Sequence, residues 1–432
     1  NFNVEDADMS ATTYWTKFKT NWQPTSTIEI RNQAYYYWAE RNWQNAETYQ
    51  FNTGTQLIDR DRFFVQHDQY VAGDRLEAQI NERLFEHKNR FVIGVDFSHL
   101  HLNRPSFFSG GDSINPLAIP SGSFGSITSA EQRTTITTAA LFIEEQFNLT
   151  ESLKLVGGMR HDHIDLDRKL FNAAGAFNTT ARFERDFNPT TWREGLVYDL
   201  LPNLTLYGQY ATAADPVGTN VFIVRAGENF DLATGAQWEV GLKQGLWNNR
   251  AEWTLAYFDI FRKNILTQTS LTTAQNVGRQ TSKGVELSGA IRPTDAWRVQ
   301  ANLTFLSARF ADFSETDGGN VVSRGGNRPP NVPETMANIW SVYRVPFVVP
   351  FDLGAAFRYV GHRYADNANA VRLNAYMTTD AWVSVPYKNM TFMLRGRNLL
   401  DKTYAIWADP FYPSQVLIGA PRTVELMMMA MF

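Results

Sequence analysis

Strict two-residue alternation of apolar and polar side chains, repeated in pairs along the chain, most restricts what this sequence can fold into. Trp297, Val299, Ala301, Leu303 and Phe305 alternate with Arg298, Gln300, Asn302 and Thr304. A strand puts one set on each face, whereas a helix would need the apolar set at a spacing near 3.6. Just before this run, Val285, Leu287, Gly289 and Ile291 alternate with Glu286, Ser288 and Arg292, and Pro293, Thr294 and Asp295 join the two. A tight polar turn between two alternating runs predicts a hairpin. The same unit recurs at 236–246 with 250–262 around Trp247-Asn248-Asn249, at 188–199 with 204–212, and at 373–386 with 390–397 around Tyr387-Lys388-Asn389.

Between these pairs lie longer connections rich in Gly, Asn, Pro, Asp and Ser, at 104–133, 168–187, 213–235, 312–334 and 399–419. Short periplasmic turns alternating with long extracellular loops are the asymmetry of an outer-membrane barrel; a soluble sandwich spreads its long loops over both ends. The fold expected is therefore all-β, an antiparallel transmembrane β-barrel. About seventeen strands are countable, the first at 12–22 running inward, against the even number of a closed bacterial barrel. An open edge in lipid leaves backbone groups unsatisfied, so the first strands are expected outside this stretch. No apolar run approaches the ~18 residues that a membrane-spanning helix needs. The closing stretch IGAPRTVELMMMAMF puts Val424, Leu426, Met428, Ala430 and Phe432 on one strand face. It is either the buried last strand of a sandwich or the sealing strand of a barrel whose apolar face meets lipid.

Composition excludes several function classes. There is no Cys, so neither a disulfide framework nor a thiolate metal site is available. The formal charge of -4 gives no footprint for nucleic acid. Residue 1 is not Met and no signal peptide opens the chain, as expected of a mature or truncated product. No G-x-S-x-G elbow, H-E-x-x-H or phosphate-binding loop is present, which leaves only catalysis by residues on adjacent strands, invisible to linear motifs. Two His-x-His pairs, His99 with His101 and His161 with His163, each share a strand face and so invite a metal reading. Yet the first pair continues the face of Phe91, Ile93, Val95 and Phe97 and the second that of Leu153, Leu155 and Met159, so both are expected to look outward, near the outer headgroup region. Glu239, Lys243, Glu286, Arg298 and Arg395 fall on lumen-facing positions, where they are expected to pair across strands.

Six segments carry a family resemblance: LYGQYATAADP (206–216), QWEVGLK (237–243) with AYFDIFRKNI (256–265), NVGRQTSKGVELSG (276–289), NRPPNVPETMANIW (327–340), NLLDKTY (398–404) and GAPRTVELMMMAMF (419–432). In this order and spacing the chain resembles the C-terminal part of a TonB-dependent outer-membrane receptor, most similar to the ferric-siderophore branch. The resemblance is clear from about Ala139 onward. It implies a bacterial outer-membrane barrel of about 22 strands around an N-terminal plug, with residues 1–432 as barrel domain and the plug and first strands outside them. It further implies a non-enzymatic receptor without a cofactor of its own. Its expected partners are a ferric siderophore, the TonB complex reached through the N-terminal region, outer-membrane lipid and lipopolysaccharide, and the barrel-assembly machinery, with no nucleic acid. Open alternatives are a passive porin-like channel and a receptor for cobalamin, haem, carbohydrate or free metal; the few His, lying off the lumen face, count against haem.

Strand direction nominates the ligand-facing residues. Tyr35, Tyr37, Trp38, Arg41 and Trp43 lie at the outer end of an outward strand and in the loop it enters. Later loops carry Phe107 and Phe108, then Phe222, Arg225 and Phe230, then Arg324 and Arg328, and finally Trp407, Phe411 and Tyr412. Aromatic faces ringed by Arg suit chelates that carry planar parts and negative charge, although rim aromatics also serve as interfacial girdle. In the family resembled, the terminal aromatic is read during assembly. Deleting Phe432 should therefore lower the amount of receptor in the outer membrane while the affinity of the assembled fraction stays unchanged, as immunoblotting against ligand binding would show.

Overall fold

A computed structural model describes residues 3–46, 49–117, 122–123, 125, 129–215, 230–270, 273–410 and 415–431, with side chains at 106–110, 266–270 and 273–277 left aside. Among the described residues every regular element is a strand, and no helix is long and apolar enough to cross a membrane. Nineteen share one sheet, in which Tyr49–Asn52 and Phe177–Phe187 prolong neighbours along a shared partner and seventeen wall positions remain, and three two-stranded hairpins stand apart from it. The chain divides into two compact units, Asn1–Gln146 with Gly158–Thr191 and Pro216–Phe230, and Phe147–Gly157 with Trp192–Asp215 and Asp231–Phe432.

In the first unit Asp8–Trp22 pairs with Ile28–Asn45, which pairs with Leu57–Leu84, which pairs with His87–Ile114, always antiparallel. The last two strands are 28 residues each. Since about 9–11 tilted residues cross a bilayer, these ribbons project well beyond it. Their tight turn is Phe85-Glu86, both at positive φ (50° and 67°), the two-residue geometry whose twist matches that of the flanking strands. In the second unit the ladder runs from Leu204–Ala214 through Thr234–Leu246, Ala251–Ser270, Thr273–Thr294, Trp297–Asp312, Thr335–Val345, Phe351–Val360, Tyr376–Tyr387 and Met390–Arg397 to Thr423–Ala430.

Register puts like with like. Leu303 stands opposite Leu287 and Ala337, while Thr304 stands opposite Glu286 and Met336. The apolar set is solvent-exposed, Phe305 by 52% and Leu426 by 80%. A continuous exposed apolar face is what lipid requires and water would penalise. On the lumen side, glycines let rings lie flat on the neighbouring strand: a Cβ at Gly94 would collide with Phe142, and one at Gly354 with Trp382.

The count of about seventeen wall strands holds among the described residues, because Tyr49–Asn52 continues Ile28–Asn45 along one partner strand and Phe177–Phe187 continues Thr190–Leu201 along another. The expectation to correct concerns the connections, which are shorter than their composition implied. Residues 104–114 belong to His87–Ile114, and within 168–187 only 172–176 lie outside strands. The connections at 312–334 and 399–419 contain hairpins of their own, Ser314–Asp317 with Asn320–Ser323 and Ala405–Ala408 with Val416–Ile418. The reason is physical: beyond the membrane a ribbon is held by backbone ladders alone, needs no apolar face, and so loses the alternation that marks a wall strand. Leu303→Arg should cost ~2–4 kcal/mol if the residue lies near the midplane, whereas Thr304→Arg should be nearly neutral; denaturant unfolding in detergent would measure both.

Candidate functional site

At the outer end of the first unit the two faces of each strand carry different chemistry. One parity forms an aromatic belt: Tyr14 stacks on Trp38 (5.6 Å), Tyr36 on Tyr70 (6.2 Å) and Tyr70 on His101 (5.4 Å). This is the outward parity, shared with exposed Leu76, Phe97 and Ile93. The opposite parity faces the lumen, where Trp15 meets Tyr37 edge-on (5.7 Å), Lys17 lies 4.1 Å over the Trp15 ring and Trp43 meets Phe63 (6.1 Å). Tyr35, Tyr37, Arg41 and Trp43 therefore look inward. Trp38 does not: it is an outward girdle residue whose indole N–H donates to Asp68 (3.0 Å), a correction to its nomination as a ligand contact.

Arg41 stands opposite His67. The pairings on either side, Val65 with Ser106 and Asp68 with Asn103, set His67 across from Arg104. All three lie the same step outward of the belt, 38 to 41, 70 to 67 and 101 to 104, on the extracellular side. Burial first, then the charges of Arg104 and Arg41, lower the His67 pKa to about 4, so its imidazole is neutral near pH 7. Deeper on the same face Arg31 pairs with Glu29 (2.6 Å) and Glu77 (3.4 Å), and Arg160 with Asp162 (2.7 Å) and Asp96 (3.2 Å).

Phe230 is only 3% exposed and packs between Phe183 (5.0 Å) and Phe187 (5.6 Å). It is packed away instead of presenting a surface, which corrects the second nomination. Phe107 and Phe108 fall within strand His87–Ile114, with backbones paired to Phe64 and Phe63, not in a loop. Phe222, Arg225, Phe411 and Tyr412 lie outside the described residues. His161 and His163 are exposed, and their Nδ1 atoms lie 2.8 Å from Thr190 Oγ1 and Asn188 Oδ1. Among the described residues no group of three or more His, Asp or Glu is placed to hold a metal ion.

In the second unit the loops are tied together by buried cations. Arg324 is pinned in its own hairpin by Glu315 (2.6 Å) and Asp317 (2.5 Å), and the Glu315 carboxylate makes its guanidinium hold its proton more firmly than usual. Arg328, 5% exposed, pairs with Glu334, donates to the His362 carbonyl (3.2 Å) and lies 5.4 Å over the Tyr364 ring. Both nominated arginines thus brace loops, so neither is a ready ligand contact. Sequence reading missed the other braces. Arg363, 2% exposed, donates to the carbonyls of Ala405 (2.5 Å) and Ile406 (2.7 Å). Asn331, at φ 63°, exchanges two hydrogen bonds with the Ala408 backbone (2.8 and 3.0 Å). Ala365, Leu373 and Ala408 form a small core there. The result is a stiff platform from which half-exposed Trp407 projects.

Below the platform the lumen wall is polar and internally paired. The Tyr207 hydroxyl donates to Glu239 (2.7 Å), with Lys243 5.1 Å over its ring; Lys154 pairs with Asp199 (2.9 Å) and Arg395 with Asp380 (2.9 Å). A groove of about 310 Å³ between strands is lined by Trp340, Arg358, Tyr376, Asp380, Arg395 and Tyr404. This surface holds its polar groups in place by pairing them. Arg363→Met, which leaves two carbonyls without their donor, should destabilise the platform by about 1–3 kcal/mol. Limited proteolysis within 399–419 should then accelerate, while Arg324→Ala in the exposed hairpin should leave that region as it was.

The TonB dependent receptor-like, beta-barrel family model matches residues 1–399. The probable TonB-dependent siderophore receptor PiuA of Acinetobacter baumannii is 27% identical across 62% of this chain and 37% of that protein. The ferrioxamine receptor of Yersinia enterocolitica is 24% identical across 94% of this chain and 58% of its own length. The chain thus spans well under two thirds of these relatives. Among solved structures, the siderophore receptor PiuA from Acinetobacter baumannii superposes with a TM-score of 0.82 at 21% identity, over 99% of this chain and 65% of that one. The ferric-catecholate import receptor Fiu of Escherichia coli K12, in its closed form, gives 0.82 at 18% identity with the same coverage. At these identities the superpositions speak for the fold, and the family match over nearly the whole chain establishes the rest: this protein belongs to the TonB-dependent receptor β-barrel family of the bacterial outer membrane.

Proposed function

We propose that this chain is the barrel domain of a receptor that captures a ferric siderophore at its extracellular face and imports it with energy relayed by TonB. The observation that carries this reading is the division of labour within the structure. A lipid-facing apolar wall holds a set of outer loops and ribbons braced by buried arginines, with Tyr37, Arg41, Trp43 and Trp407 left facing the lumen or the medium. A passive pore has no use for stiff, ligand-sized aromatic and cationic surfaces at its mouth; a capture receptor does, because preorganised groups lose less entropy on binding. The names of PiuA and the ferrioxamine receptor point to siderophores, which supports the choice of ligand class. A chelate of another metal is a second reading, favoured by 26% identity over 83% of the chain to the metal-pseudopaline receptor CntO of Pseudomonas aeruginosa.

In this reading residues 1–432 belong to one barrel domain, and the plug and the TonB-engaging segment are supplied outside them. Lipid and lipopolysaccharide cover the apolar face, and the barrel-assembly machinery inserts it. The relatives are transport receptors and not enzymes. The chain does no chemistry on the chelate and needs no resident cofactor, since the iron is cargo. Uptake of radioactive iron from a panel of ferric siderophores, by iron-starved cells expressing the full-length protein, should be saturable and should vanish when TonB is deleted. Linear entry that persists without TonB would instead assign a diffusion channel.

A further inference from the structure

In the second unit the short connection between Thr335–Val345 and Phe351–Val360 differs in composition from its neighbours. It reads Pro346-Phe347-Val348-Val349-Pro350, whereas the other short turns at that end carry polar tips: Asn203, Asn248 with Asn249, Asp295, and Lys388 with Asn389. Phe347, Val348 and Val349 are 68%, 91% and 42% exposed. Water penalises three such side chains grouped on one tip. The nearest charges are turned away, since Arg344 and Asp352 stand opposite each other on the lumen parity and pair there (3.1 Å). The backbone is adapted in the same sense: Pro346 and Pro350 bring no N–H, and the Phe347 N–H donates to the Val345 carbonyl (3.0 Å). Shedding donors gains nothing in water and is favourable where acceptors are scarce.

Depth decides which medium the turn meets. Trp297 and Tyr343, opposite each other and 41% and 44% exposed, mark the inner girdle of the lipid face. Val345 and Phe351, the last pair of their ladder, continue that face two residues further on. At about 3.3 Å per residue along a tilted strand, the turn begins roughly 5 Å beyond the girdle, inside the ~5–7 Å headgroup layer that flanks the hydrocarbon core.

We propose that the 346–350 turn is an interfacial wedge: Phe347, Val348 and Val349 insert among the phospholipids of the inner leaflet, at the boundary between headgroups and acyl chains, and hold this side of the wall at a fixed depth. Phospholipid is the occupant because the tip prolongs a lipid face with no charge between them. The two prolines fix φ at both ends and push Val345 and Val349 toward extended backbone, so the tip is stiff and does not fold back over its own apolar side chains. The inference rests on the outer-membrane barrel and is independent of the ligand the receptor takes.

The test uses full-length receptor in vesicles of phosphatidylethanolamine and phosphatidylglycerol, with a nitroxide on one introduced cysteine; residues 1–432 contain no Cys of their own. Val348→Cys puts the label on the tip, and Asp295→Cys, at a side chain 94% exposed, puts it on a neighbouring polar turn. Power saturation compares collisions with oxygen, which concentrates in the bilayer, and with a nickel chelate present on both sides of the membrane, which stays in water. The ratio of oxygen to chelate collisions should be several-fold higher at Val348 than at Asp295. Val348→Asp with Val349→Asp, read from a label on Phe347→Cys, should lower the ratio at the tip to that of the polar turn. A Val348 label that meets the chelate as freely as the Asp295 label overturns the wedge, and one shielded from both reagents overturns it in favour of a protein partner on the turn. Should the nitroxide disturb the tip, vesicles made with phospholipid brominated near the top of the acyl chain provide a second measurement. They should quench a bimane on Val348→Cys and spare one on Asp295→Cys, and an unquenched Val348 bimane again overturns the wedge.

Discussion

Hydrocarbon offers no partner to a backbone N–H or C=O, and the rest of this structure depends on that constraint. Every such group inside the membrane must be satisfied by the chain itself, which for strands means a neighbour on each side. The ladder in the second unit answers this strand by strand, and the register that satisfies the backbone also sorts the side chains. Leu303 meets Leu287 on the lipid face because Thr304 meets Glu286 on the other. A shift of one residue would exchange the two sets at once, so the wall tolerates little ambiguity of pairing.

Where water returns, the constraint relaxes and another takes over. Connections running over a surface must find partners for their own polar groups. This protein meets that need with side chains. Arg363 caps two carbonyls of the 405–408 segment, Asn331 mimics a strand neighbour for Ala408, and Arg328 with Glu334 closes the junction with 362–364. Burying a guanidinium is costly unless it is paired, and the gain is a platform of defined shape. Trp407 and Leu417, facing each other across the 405–418 hairpin, inherit their positions from these contacts.

Charge on the lumen side is distributed by depth. Paired acids and bases hold the wall at the level of the membrane, consistent with a surface meant to face other protein or water and not to attract one sign of charge. Higher up, burial and the neighbouring guanidiniums of Arg104 and Arg41 keep the His67 imidazole uncharged instead.

Much of the fold was legible without coordinates. Alternation at 285–305 determined the strands, their pairing and the lipid face, because the period of two is imposed by the strand itself and by lipid on one side. The same parity argument placed His161 and His163 outward, where they are found. Composition also led to the loops, but their interiors were not legible. Strand 104–114 and the hairpins at 314–323 and 405–418 carry no apolar alternation, since no face of theirs meets lipid. The site divided along the same line. Tyr37 and Trp38 are neighbours with equal appeal as ligand contacts, and parity alone separates a lumen residue from a girdle residue. Phe230, Arg324 and Arg328 had the right chemistry, yet their packing between Phe183 and Phe187, against Glu315 and against Glu334 commits them to bracing. Local sequence thus determines which face a residue takes, because the backbone alone sets that. Which polar or aromatic side chains remain available is decided only in the tertiary structure, because it depends on partners that arrive from distant parts of the chain.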